Sequence, residues 1–313
     1  MGPAPAPAPN TDYSGASPVG DVVSYPNLMF HRADKRVKEL HMGPEYILMQ
    51  SAPRWLVYLL TSGTYDESDL SKRNVTFFNA RGKDLQFEQT GFILHKMPHP
   101  SATTDWRSTS DVKHFQAEME PLLLELVPGA KRVEWTYNVV RNGNQFGDQP
   151  PAVNSPHLDY SQNDSAREEF HGEHGVFEDL KEQPILLGRR DTDEDKLAVL
   201  LGIWKPIYMN TAVCDRPLAI MDARTFRPAH ERPFSLHINF LFFLFHNLNG
   251  AIVHHPSQRW WYYPMQEQDE VLVFTQYTRG KHFANPHTSF DNPHCPPGMD
   301  KRQSVEMRAA VFV

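Results

Sequence analysis

The hydrophobic positions of this chain fall mostly into short runs punctuated by Pro, Asp and Gly, and one stretch carries a clear amphipathic helical period. The runs 75-VTFFNA-80 and 92-FILHKM-97 are rich in β-branched and aromatic residues and predict strands, as does 132-RVEWTYNVVR-141. Further short strands are expected within 198-AVLLGIWKPIY-208, 212-AVCDRPLAIMDART-225, 251-AIVHHPSQRWWYYPM-265, 270-EVLVFTQYT-278 and 304-SVEMRAAVFV-313. The helical stretch is 109-TSDVKHFQAEMEPLLLELV-127, with a Ser/Asp start and a stop at Pro128-Gly129. The longest apolar run, 234-FSLHINFLFFLFHNLNG-250, is broken by His237, Asn239 and His246. It is shorter and more polar than the roughly 20 apolar residues a membrane span needs, so it predicts a core segment, strand or helix. The acidic stretch 163–183 reads as helix and loop. The pattern predicts a mainly β fold with flanking helices, a sandwich or barrel of roughly eight short strands with the helix packed outside.

Composition narrows the class. At 313 residues, 40% hydrophobic and 12% aromatic, the chain can bury a large core. No fixed-period repeat or Gly/Ser linker divides it, so one domain over 25–313 is expected, behind a Pro/Ala-rich flexible tail at 1–24. A formal charge of -7 and no long Lys/Arg run argue against a nucleic-acid partner. An anionic small molecule would therefore need a local basic pocket. The two cysteines, Cys214 and Cys295, make no disulfide framework, and the start MGPAPAPAPN has no signal-peptide pattern. A cytoplasmic protein with reduced thiols is expected.

The candidate chemistry begins at 154-NSPHLDYSQ-162. In an extended strand His157 and Asp159 would project from one face and meet one metal ion. With 16 His and 38 acidic residues, roughly two H-x-[DE] triplets arise by chance. The second triplet, His171-Gly172-Glu173, lies in a charged segment that reads as a solvated helix. A two-histidine, one-carboxylate set with open positions is the signature of non-haem iron oxygenases. The second histidine would come from His237, His246, His254, His255, His282, His287 or His294. If 2-oxoglutarate is the co-substrate, its far carboxylate needs an arginine with a hydroxyl beside it. Arg302, Ser304, Glu306 and Arg308 share one strand face, and Arg302 follows His287 by 15 residues. That spacing suits a hairpin in which His287 holds iron and Arg302 with Ser304 clamps the acid. A zinc site from His282, His287, His294 and Cys295 lacks a recognisable ligand spacing.

The pieces 137-YNVVRN-142, 157-HLDYS-161, 203-IWKPI-207, 217-PLAIMDART-225, 259-RWWYYPMQEQDEVLVFTQY-277, 286-PHTSFDNP-293 and 302-RQSVEMR-308 closely resemble the mainly fungal hydroxylase/desaturase group. That group includes gibberellin desaturase and relatives of the cephem 7α-methoxylase small subunit. The resemblance implies a double-stranded β-helix (jelly-roll, cupin-like) core and an Fe(II)/2-oxoglutarate-dependent oxygenase. With O2, such an enzyme hydroxylates or desaturates a small secondary metabolite. It implies His157, Asp159 and His287 as iron ligands and Arg302 with Ser304 at 2-oxoglutarate. Arg308 is an alternative or additional anchor, since the resemblance does not say which arginine reaches the carboxylate. The family pattern Trp-Arg-Pro is Trp204-Lys205-Pro206 here.

The substrate pocket is expected to draw on Tyr137, Arg141, Tyr160, Lys205, Trp260 and Tyr262. By strand alternation only one of the pairs Trp260/Tyr262 and Trp261/Tyr263 can face it. Two other readings stay open: a cupin-type metal enzyme without 2-oxoglutarate, against which the R-x-S element argues, and a non-catalytic partner subunit, against which an intact ligand set argues. The expected partners are a small-molecule substrate and, in assembly, a second copy as a homodimer or a homologue as a heterodimer.

Overall fold

The computed structural model describes residues 21–32, 39–42, 70–97, 104–142, 154–163, 165–166, 196–240 and 243–313. Most of the expected tail, the His171/Glu173 triplet and nearly all of 163–183 lie outside them. The strands are β1 (Val22–His31), β2 (Glu39–Met42), β3 (Leu70–Asn79), β4 (Phe92–Lys96), β5 (Arg132–Asn142), β6 (His157–Leu158) and β7 (Leu197–Pro206). They continue with β8 (Leu218–Met221), β9 (Glu231–Phe240), β10 (Phe243–Ile252), β11 (Trp260–Tyr262), β12 (Glu270–Thr278), β13 (His287–Ser289) and β14 (Gln303–Phe312). Helix α1 spans Phe87–Thr90 and α2 spans Thr109–Leu126. The apolar run at 234–250 supplies residues to the antiparallel strand pair β9–β10. Val22, placed by sequence in the tail, already pairs with Phe78 in β1.

Two sheets make a jelly roll, the double-stranded β-helix. One is ordered β1-β3-β11-β8-β13-β6-β10-β9-β2, the other β4-β12-β7-β14-β5. The smaller sheet carries α2 on its outer face. Its helix side is set by alternation: Val199, Leu201 and Ile203 of β7, Val271 and Val273 of β12, and Val305, Met307, Ala309 and Val311 of β14 pack with Val112, Phe115, Met119 and Leu123 of α2. Ser108 caps α2 by accepting a hydrogen bond from the Asp111 amide at 3.4 Å. The opposite positions, Trp204, Leu272 and Phe274, meet Leu218, Ile220 and Trp261 of the larger sheet. This second layer, between the sheets, contains the site. Among the described residues no helix is long and apolar enough to cross a membrane.

Candidate metal centre

A single row of paired residues crosses five strands of the larger sheet: Phe78, Trp261, Ile220, His287 and His157. Directly paired residues project from the same face, so both histidines turn into the space between the sheets. The ring of Phe274, from the other sheet, lies 4.9 Å from that of His287. Strand β6 ends at Leu158, and a bend rather than a continuing strand carries Asp159. The bend brings Asp159 Oδ1 to 3.8 Å from His157 Nε2 and Oδ2 to 3.5 Å from His287 Nε2.

The candidate ligand atoms of His157, Asp159 and His287 all lie within 4.8 Å of one another. Nδ1 of His157 is 2.8 Å from the Ser155 carbonyl, and Nδ1 of His287 is 3.3 Å from that of Asn285. Donating Nδ1–H to a carbonyl leaves the Nε2 lone pair for a metal. Burial and the neighbouring His287 push His157 down to about 4, so its imidazole is neutral at neutral pH. Burial pushes the Asp159 carboxyl up, but Arg308 and the two histidines outweigh it and hold it well below the usual range. Two imidazoles and one carboxylate converging on one point fit a divalent metal ion.

Charged side chains of β14 extend the site. Arg308 Nη2 donates to Asp159 Oδ2 at 2.9 Å and lies 3.4 Å from Glu306 Oε1. Arg141 Nε is 3.6 Å from Glu306 Oε2. Arg302 sits over the Trp204 ring at 5.2 Å and donates Nη1–H to the Arg216 carbonyl at 2.8 Å. Among the described residues no carboxylate pairs with the Arg302 guanidinium, which is 4% exposed. Burial and nearby Arg141 pull it down to about 9. Since a guanidinium stays charged, that strain is relieved by an anion rather than by losing a proton. The Ser304 hydroxyl is fully buried with no partner among the described residues. A buried cation and an unpartnered buried hydroxyl two residues apart have the chemistry to take a small carboxylate.

A family model described as YDMC, oxidoreductase/YMDC permease-like domain, matches residues 50–312. The chain belongs to this oxidoreductase family. It is also similar to aspirochlorine biosynthesis protein N of Aspergillus oryzae, 32% identical over 142 residues, which are 44% of this chain and 55% of that protein. The match thus spans about half the length of that relative. Among solved structures it resembles the iron and alpha-ketoglutarate-dependent endoperoxidase NvfI, with a TM-score of 0.64 and 19% identity over 93% of this chain and 98% of that one. The same enzyme with a different conformation gives a TM-score of 0.66 and 20% identity over 94% and 99%. These likenesses carry the fold.

In this oxidoreductase the other expected site residues divide. Arg141 pairs in register with Ser304, and Tyr137 with Arg308. Tyr160 is buried beside Arg308, whose guanidinium lies 5.4 Å from the ring. Lys205 lies on the other face of the smaller sheet from the cluster. In register it lies between Val271 and Val305, which puts it on the helix side of the sheet, and its ammonium group has no hydrogen-bond partner among the described residues. Burial pulls it down to about 8. Trp260 and Tyr262 also point away. They pack with Phe77, Met221 and Phe290 on the far face of the larger sheet, while Trp261 and Tyr263 join the interior layer. The register with Ile220 and His287 chooses the pair, and it is invisible in the local sequence. His282, His294 and Cys295 do not assemble a site, since among the described residues only His157, Asp159 and His287 form a group of three metal-ligating side chains.

Two contributors had no distinctive local signal. Gln276 of β12 donates to Asp159 Oδ2 at 2.7 Å. Asn285 is fully buried and donates to the carbonyls of Thr90 and Met221 at 2.7 and 2.9 Å. It also accepts from the Thr275 amide at 2.9 Å. Those bonds anchor the segment that presents His287.

Proposed function

We propose that this chain is a non-haem Fe(II)- and 2-oxoglutarate-dependent oxygenase. It hydroxylates or desaturates an unactivated C–H position of a small secondary metabolite, in the cytoplasm, through a single domain that includes β1 from Val22. The observation that carries this reading is the pairing of the His157/Asp159/His287 cluster with an anion receptor, Arg302 and Ser304, in one interior layer. The structural relatives named above use iron and alpha-ketoglutarate, and the curated relative belongs to a biosynthetic pathway, which supports the same assignment.

His157, Asp159 and His287 would hold the iron through Nε2, carboxylate and Nε2. When bound, iron with 2-oxoglutarate and O2 supplies the oxidising power for breaking an unactivated C–H bond. The chain's own part is to bind, orient and exclude water. Arg302 grips the far carboxylate of the co-substrate and Ser304 donates a second hydrogen bond. Arg308 is already engaged by Asp159 and Glu306, so its part is to keep the ligand carboxylate ionised. Trp261, Tyr263 and Phe274 give the interior an apolar wall for the substrate.

The test is an anaerobic titration of the metal-free protein with Fe(II) and 2-oxoglutarate, followed by visible charge-transfer absorption, in wild type, His287→Ala and Arg302→Ala. The band is expected in wild type and lost in both variants. Wild-type protein that binds iron without a band, and forms no succinate in air, would point instead to a metal enzyme independent of 2-oxoglutarate.

A further inference from the structure

Gln276 lies at a break in the sheet. Between β12 and β7, Phe274 pairs with Gly202 and Thr275 with Leu201, and the next pair is Tyr277 with Leu200. Gln276 is therefore the extra residue of a β-bulge, a device that bends a strand and re-aims a side chain. Under strict alternation Phe274 and Gln276 would share the interior face and Tyr277 would face α2. The bulge lets Tyr277 pack against the interior group of Tyr160, Leu200 and Ala310, while Gln276 reaches Asp159.

The side chain is fully buried, and only half of its amide is satisfied within the described residues. Nε2 donates to Asp159 Oδ2 at 2.7 Å, and Oε1 has no partner. Burying an amide with one end unpaired is costly, so fold stability alone gives little reason to place a glutamine here. Asp159 needs such a partner. It stands on a bend outside any strand, and the terminal torsion of an aspartate is soft. Its Oδ2 is held by Gln276 and Arg308, which leaves Oδ1 turned toward His157 Nε2. Arg308 both orients and neutralises the carboxylate, whereas the neutral Gln276 amide only orients it.

Resting on the metal-dependent reading above, we propose that Gln276 is a positioning residue that fixes the rotation of the Asp159 carboxylate for metal ligation. Removing its donor leaves the charge of the site unchanged and loosens one ligand. Outer partners of this kind typically change metal affinity by about 10- to 100-fold.

The experiment titrates metal-free, full-length protein with Co(II) chloride, reading affinity by calorimetry and geometry by the visible ligand-field spectrum. It compares wild type, His287→Ala, Gln276→Met and Gln276→Asn, with melting temperature as the control for folding. Methionine keeps the length and removes the donor, and asparagine keeps the amide and withdraws it by one methylene. Each is expected to bind Co(II) about 10- to 100-fold more weakly with an altered spectrum. A purely structural glutamine would shift the melting temperature and leave the affinity and spectrum of the folded protein alone. Unchanged affinity and spectrum in whichever variant folds overturn the positioning role while leaving the metal centre standing. Wild type that binds Co(II) no better than His287→Ala overturns the metal centre and this role together.

Discussion

At the scale of single residues, the site depends on polar groups placed where a strand's alternation would ordinarily put solvent. On β14 the positions Ser304, Glu306 and Arg308 alternate with Val305, Met307 and Ala309, the pattern of a half-exposed strand, yet all six are buried. The shared face was legible from parity. Its direction was not, because solvent and an enclosed polar site produce the same local pattern. Arg302→Lys should weaken 2-oxoglutarate binding about 10- to 100-fold, because a lysine cannot reproduce the planar fork. Ser304→Ala should cost about 1 kcal/mol, roughly a fivefold loss. Both are read by co-substrate titration at fixed metal. Equal affinities in wild type and Arg302→Lys would remove Arg302 from the receptor.

At the scale of elements, β7, β12 and β14 were each foreseen as strands close to where they occur, and so was α2. Their amphipathic pattern is local. What they pack against is not. Gly202 of β7 shows this: a Cβ there would meet the Phe274 ring at 2.5 Å, and Phe274 in turn leans on His287. Gly202→Ala should destabilise the fold by about 1–3 kcal/mol in urea denaturation, through overpacking, and should weaken metal binding as the ring moves. Leu123→Ala on α2, whose side chain lies in the layer outside the smaller sheet, should cost about 2–5 kcal/mol. It should leave metal affinity of the folded protein unchanged. The two variants separate the helix-side core from the interior layer, and a metal defect in Leu123→Ala would show that the layers are coupled.

At the scale of the whole molecule, a buried histidine makes stability depend on pH. His230 is pushed down to about 4 by burial, His255, Arg227 and His282, against an ordinary value of 6.5. The folded chain therefore refuses a proton that the unfolded chain accepts below about pH 6.5. Stability should be fully present above that pH and fall by up to roughly 3 kcal/mol as pH drops toward 4. Melting curves between pH 4 and 7 check this, and His230→Gln should flatten the profile. A wild-type profile already flat across that window would refute the assignment.

The amino-acid sequence by itself determined the β-rich class and the helix at Thr109–Leu126, and it offered His157, Asp159, His287, Arg302 and Ser304 as candidates. These follow from short-range periodicity and from chemistry that few residues can perform. The tertiary structure alone decided that Lys205 faces the helix, that Trp261 rather than Trp260 faces the layer between the sheets, and that Gln276 meets Asp159 and Asn285 ties down the segment before His287. Each of those outcomes depends on register between strands distant in sequence, and a shift of one residue in any of them would exchange the two faces.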